Sequence, residues 1–110
     1  MIIDDTAISN LLGNKTKLVR KFGADGAKKL CKCVLSLGAA KSLAEFLPPK
    51  SGAYRCHQLQ GDRSKQFAMD FTPKYRLVFE PIFNGTEDVS DGIDWHMITQ
   101  IRLLELVDYH

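Results

Sequence analysis

All three histidines of this 110-residue chain lie in its second half, at His57, His96 and His110, and two of them have company suited to chemistry. His57 stands in the run Tyr54-Arg55-Cys56-His57-Gln58-Leu59-Gln60-Gly61-Asp62-Arg63, where an extended strand would put Arg55 and His57 on one face. His110 follows Asp108 and Tyr109, so an imidazole, a free α-carboxylate, a phenol and an acidic side chain gather at one end. His96, beside Trp95, has no comparable neighbours and receives no role. Two imidazoles, a phenol and arginines, without a Ser or Cys nucleophile motif or a metal cage, suit general acid–base work on a phosphodiester. One imidazole takes the 2′-hydroxyl proton of RNA, a second group protonates the leaving 5′-oxygen, and guanidiniums stabilise the charge developing on phosphorus. Arg55, Arg63 and Arg76 are the guanidiniums available. The competing reading pairs these arginines with Asp62, Asp70 and Glu80 on a solvated sheet face. No metal or cofactor is expected.

Two kinds of element must position these groups. Met1 to about Asp5 reads as a short strand, with Asp5-Thr6 offering caps for a following helix. From Thr6 to Phe22, Ile8, Leu11, Leu12, Leu18, Val19 and Phe22 recur at helical spacing, with a break near Gly13-Asn14. Gly23-Ala24-Asp25-Gly26 reads as a turn with Asp25 as cap. A second amphipathic helix follows over Ala27–Leu37, with Lys28, Lys29 and Lys32 on its outer face and Gly38 to end it. Ser42–Phe46 adds one more turn before Pro48-Pro49 stops all helix. Beyond Gly52 the period falls to two. Tyr54–Leu59, Gln66–Phe71 and Tyr75–Phe79 alternate as strands, with Thr72-Pro73-Lys74 a tight hairpin between the last two. Residues 82–99 form a polar, acidic excursion with turns at Asn84-Gly85 and Asp91-Gly92. Ile101–Tyr109, apolar at most positions, is expected to be a central strand buried on both faces. Helices followed by strands make an α+β domain with helices on one side of the sheet.

Composition bounds the rest. The length suits one domain, residues 1–110, able to bury a core without staples. No apolar run approaches a membrane span, the start has no signal-peptide pattern, and an odd cysteine count with Cys31-x-Cys33 in a helix argues against disulfides or zinc; a cytoplasmic location is expected. The net charge of +2 conceals an asymmetry. Residues 1–55 carry ten Lys/Arg against four Asp/Glu, and residues 56–110 five against nine. A basic front half is compatible with a surface that meets a polyanion, and equally with helices whose solvated face carries Lys.

The run from Tyr54 to Arg63, then Gln66-Phe67, Tyr75-Arg76-Leu77-Val78-Phe79-Glu80-Pro81 and Glu105-Leu106-Val107-Asp108-Tyr109-His110, resembles the HigB-type toxins, plasmid maintenance killer proteins of the RelE/ParE superfamily. The match is colinear from about residue 15 to the end. It implies a RelE-like fold: N-terminal helices on a twisted, mainly antiparallel sheet of about four to five strands. It implies a ribosome-dependent endoribonuclease that cuts messenger RNA, restrained by a helix-turn-helix antitoxin of HigA type that carries the pair to operator DNA, with no membrane partner. By motif position His57, Arg76, Asp108, Tyr109 and His110 take the catalytic roles, with Arg55, Gln60, Arg63 and Lys65 near the phosphates. Lys15, Lys17, Arg20, Lys21, Lys28, Lys29 and Lys32 would face ribosomal RNA. Gln60 replaces the Lys that many relatives have, so one phosphate contact is neutral: either catalysis is weaker, or Arg63 or Lys65 substitutes. The acidic insertion around Glu87–Asp91 lengthens the loop before the last strand. A gyrase inhibitor of ParE type, which acts by binding, and a catalytically weakened relative retained for antitoxin or operator binding are the alternatives.

Overall fold

The structure, a computed structural model, describes residues 1–83 and 93–108. The turns expected at Asn84-Gly85 and Asp91-Gly92, the Glu87–Asp91 insertion, and Tyr109 and His110 lie outside the described residues.

Five strands form one mixed sheet: β1 (Ile2–Asp4), β2 (His57–Gln58), β3 (Phe67–Asp70), β4 (Tyr75–Pro81) and β5 (Gln100–Asp108), in the order β1-β5-β4-β3-β2. The β2–β3, β3–β4 and β4–β5 pairs are antiparallel, and β1 lies parallel to β5. Between β1 and β2 in the chain come a 3-10 turn at Thr6–Ile8, the one-turn helix α1 (Ser9–Leu12) and the long α2 (Lys15–Ala39). Together they form the expected α+β fold.

The helix break falls at Gly13-Asn14, where the Asn14 side chain accepts from the Lys17 amide at 3.0 Å and so starts α2. The turn expected at Gly23–Gly26 is shorter than its sequence suggests. Only Gly23 leaves helical geometry (φ 79, ψ 166), a region essentially reserved for glycine, and Asp25 serves as an i,i+4 partner of Lys29 instead of a cap. The second half continues past Gly38 to Ala39. At the start of the chain Asp5 makes no side-chain cap; Asp4 does that work, accepting from the Thr6 amide and hydroxyl.

The apolar stripe of α2 (Leu18, Phe22, Leu30, Cys33, Leu37) packs on Phe67, Met69, Leu77, Phe79, Ile101 and Leu103 from one face of the sheet. Phe22 meets Phe71 and Tyr75 edge-on, and Gly26 lets α2 come close to the β3–β4 hairpin, with Thr72 Cγ2 at 3.7 Å from where a Cβ would be. The hairpin is as expected: Thr72 Oγ1 accepts from the amides of Lys74 and Tyr75.

Strand β5 departs from the expectation of burial on both faces. It is flanked by β1 and β4, yet Arg102 is exposed between buried Ile101 and Leu103. The register passes from Phe79↔Leu103 to Val78↔Glu105, so Leu104 is an extra residue, a β-bulge that reverses which side chains face the helices. Apolar residues at Leu103, Leu104 and Leu106 therefore record a change of parity and not a strand sandwiched between two layers.

Candidate active site

The face of the sheet turned away from the helices can be read from the register. One row runs Glu105, Val78, Ala68, His57 across β5, β4, β3 and β2; beside it lie Val107, Arg76 and Asp70. His57 and Arg76 thus share this face, which is open only in that α2 does not pack on it, since Val78 and Ala68 in the middle of the row are fully buried. Standard strand and residue spacings put the Cα atoms of His57 and Arg76 roughly 12 Å apart, near enough for both side chains to reach one phosphate group between them.

His57 lies in a strand shorter than expected. Tyr54–Leu59 contracts to His57–Gln58 because Arg55 takes a left-handed conformation (φ 51), so Arg55 and His57 do not share a strand face. The bend has a different use. His57 Nδ1 lies 2.7 Å from the Arg55 carbonyl oxygen, which can only accept, so Nδ1 carries a proton. The neutral ring therefore presents its lone pair at Nε2, the atom a general base needs.

Arg76 and Asp70 are cross-strand neighbours, largely enclosed at 19% and 11% side-chain exposure, with Nε and Oδ1 3.4 Å apart. Arg63 reaches from the β2–β3 connection to Glu105 on β5, and its Nε donates to Gln66 Oε1 at 2.7 Å. Arg102 bridges Asp4 and Glu80. Of the competing reading, the Arg76–Asp70 ion pair is present but largely enclosed instead of solvated, whereas Arg63 pairs with Glu105 and Glu80 with Arg102. Lys65 and Gln60 are exposed beside Arg63, and Lys65 forms no ion pair among the described residues. Asp108 pairs in register with Tyr75, on the helix-side parity, with Lys74 Nζ 3.7 Å away. His57 and Arg76 come together, and Asp108 stands at the strand end on the other parity. Tyr109 and His110 are outside the described residues.

Lys15, Lys17, Arg20, Lys21, Lys28, Lys29 and Lys32 are all exposed on α2. They belong to the layer opposite the open sheet face, apart from Lys29. That residue lines a cleft of about 610 Å3 with Tyr54, Arg55, Asp70, Thr72 and Pro73, a feature the strand pattern gave no hint of. Cys33 and Cys56 are buried; burial pushes the Cys33 thiol up to about 12 and raises Cys56 as well, helped by Cys33 itself, so neither offers a thiolate. No described helix is long and apolar enough to cross a membrane.

No family model matches the chain, and no curated protein matches it in sequence. Its fold, however, is similar over the whole of both chains to a YoeB/ParE toxin from Agrobacterium tumefaciens, with a TM-score of 0.57 at 12% identity. It is also similar to the YoeB dimer from Staphylococcus aureus, covering all of this chain and 97% of that one, with a TM-score of 0.53 at 14% identity. The fold is thus the one seen in YoeB/ParE-type toxins, matched along the entire length.

Proposed function

We propose that this chain is the toxin of a toxin–antitoxin pair, of HigB type, and that it cleaves messenger RNA on the ribosome. The observation that carries the reading is the sheet face turned away from α2, where Arg76 and an imidazole whose basic atom is Nε2 stand on one side with Cα atoms roughly 12 Å apart, in a chain of this fold. In the reaction a 2′-hydroxyl oxygen attacks the adjacent phosphorus and loses its proton to a base. The P–O5′ bond breaks, O5′ takes a proton from an acid, and a 2′,3′-cyclic phosphate remains. In this reading His57 Nε2 and the His110 imidazole are the two proton carriers, and Asp108 and Tyr109 take the acid–base and base-stacking roles that their motif positions imply. Arg76 offsets the charge on the phosphoryl oxygens. Lys65 and Arg63, the latter after release from Glu105, supply the cationic contact that Gln60 lacks.

The exposed cations of α2 meet ribosomal RNA from the opposite layer, so the ribosome is held by one side and the message by the other. A helix-turn-helix antitoxin of HigA type restrains the protein and brings it to operator DNA. Inducing the chain in bacteria without an antitoxin is expected to arrest growth and cut translated messages, and His110→Ala to relieve both. Arrest with messages intact would overturn the proposal in favour of a gyrase inhibitor, which a supercoiling assay detects directly. Absence of toxicity at every expression level would point to the weakened relative.

A further inference from the structure

The cleft beside the open face shares Arg55 and Asp70 with the site already described, yet nothing in the proposed chemistry uses it. Its walls come from three places: Lys29 on α2, the Ala53–Arg55 bend, and the β3–β4 hairpin at Phe71–Pro73. We propose that this cleft is a subsite for one nucleotide of single-stranded RNA beside the scissile bond, its phosphate held by Arg55 and Lys29 and its base against the Tyr54 ring. The inference rests on the RNA-cleaving reading and extends it by a substrate contact.

Several observations converge. The volume lies in the range of small-ligand sites and accommodates a nucleotide. Arg55 holds φ 51 although it is not glycine, is exposed, and forms no ion pair among the described residues. A left-handed non-glycine residue at the rim of a cleft signals a side chain kept for its function. The bend is held from both sides, since the Asp70 amide donates to the Tyr54 carbonyl at 2.7 Å and the Lys50 amide to the Cys56 carbonyl at 2.9 Å. Finally, the charges are arranged asymmetrically. Asp70 also lines the cleft but has its Oδ1 3.4 Å from Arg76 Nε, which offsets its charge, while Lys29, whose pair with Asp25 is an exposed i,i+4 contact that exchanges easily, lines it together with Arg55. An incoming phosphate is attracted by the two cations, and Arg76 offsets the repulsion from Asp70. The half-buried Tyr54 ring supplies the flat apolar surface on which any base stacks.

The test titrates the isotopically labelled full chain with a short RNA carrying a 2′-deoxy sugar at the cleaved position, and separately with inorganic phosphate. The RNA is expected to shift the amide signals of Tyr54, Arg55 and Thr72, and phosphate alone to leave them almost unmoved. Arg55→Gly, which relaxes the backbone while removing the guanidinium, is expected to keep or raise Tm yet weaken RNA binding about tenfold, with Tyr54→Leu similar. In message cleavage both raise KM more than they lower kcat. Wild-type RNA affinity and KM in both variants would overturn the subsite. A chain that binds the oligomer in this cleft but cuts no message supports the subsite and contradicts the cleavage reading.

Discussion

Every arginine on the open sheet face already holds a carboxylate: Arg102 with Asp4 and Glu80, Arg63 with Glu105, Arg76 with Asp70. The first two sites are exposed, and such pairs contribute little, about 0–1 kcal/mol each, so a phosphate can replace their partners at small cost. Arg76 and Asp70 are more enclosed, with Nε and Oδ1 3.4 Å apart and no hydrogen bond between these two atoms, so the carboxylate acts on the guanidinium through its charge. Replacing Asp70 removes a carboxylate charge next to a largely enclosed guanidinium. Asp70→Asn is therefore expected to lower stability to urea by about 1–3 kcal/mol, and Asp70→Asn combined with Arg76→Leu to cost less than the two single changes added together. Equal additivity would mean the pair is not coupled. These residues were recognisable in the sequence by type, His57 and Arg76 included. Their partners were not, because Arg63 with Glu105 joins groups 42 positions apart that only the sheet register brings together.

At the scale of elements, the period of apolar residues revealed both halves of α2, the break at Gly13-Asn14 and the β3–β4 hairpin. Three features escaped it for separate reasons. The kink at Gly23 confines the expected four-residue turn to one residue whose dihedrals are visible only in the fold. The left-handed Arg55 cuts β2 short without any glycine to announce it. The bulge at Leu104 makes a strand with one buried face look apolar throughout. Gly23→Ala has open space around its new methyl group, so its whole cost is backbone strain, about 1–3 kcal/mol, and Tm is expected to fall by several degrees. An unchanged Tm would show that the kink tolerates other geometry. The edge strand β1 carries its own pH dependence. Hydrogen bonds from the Thr6 hydroxyl and amide, then from Arg102, hold the Asp4 carboxyl below its ordinary 3.8. A lowered folded-state value contributes stability that is present above about pH 4 and lost as pH falls through it. Asp4→Asn is accordingly expected to lower the urea midpoint at pH 7, with the difference from wild type shrinking toward pH 3.

At the scale of the whole molecule, the near-neutral net charge resolves into two layers. The helix layer presents exposed lysines, and the sheet layer presents an open face where charges are balanced pair by pair. A single layer of that kind would hold free RNA weakly at physiological salt, which is why presentation by the ribosome is part of the proposal. The packed interface between the layers also predicts thiol behaviour: iodoacetamide at pH 8 is expected to modify only Cys31 in the folded chain and all three cysteines after unfolding, read by intact mass. Rapid modification of Cys33 or Cys56 would contradict the core described. The central claim is chemical, and the most direct measurement is end analysis of a message translated in a purified system with the full chain added. The account predicts cuts that depend on the ribosome and leave 2′,3′-cyclic phosphate ends, slowed about 100-fold or more by His57→Ala; intact messages, or cuts unaffected by that substitution, would contradict it.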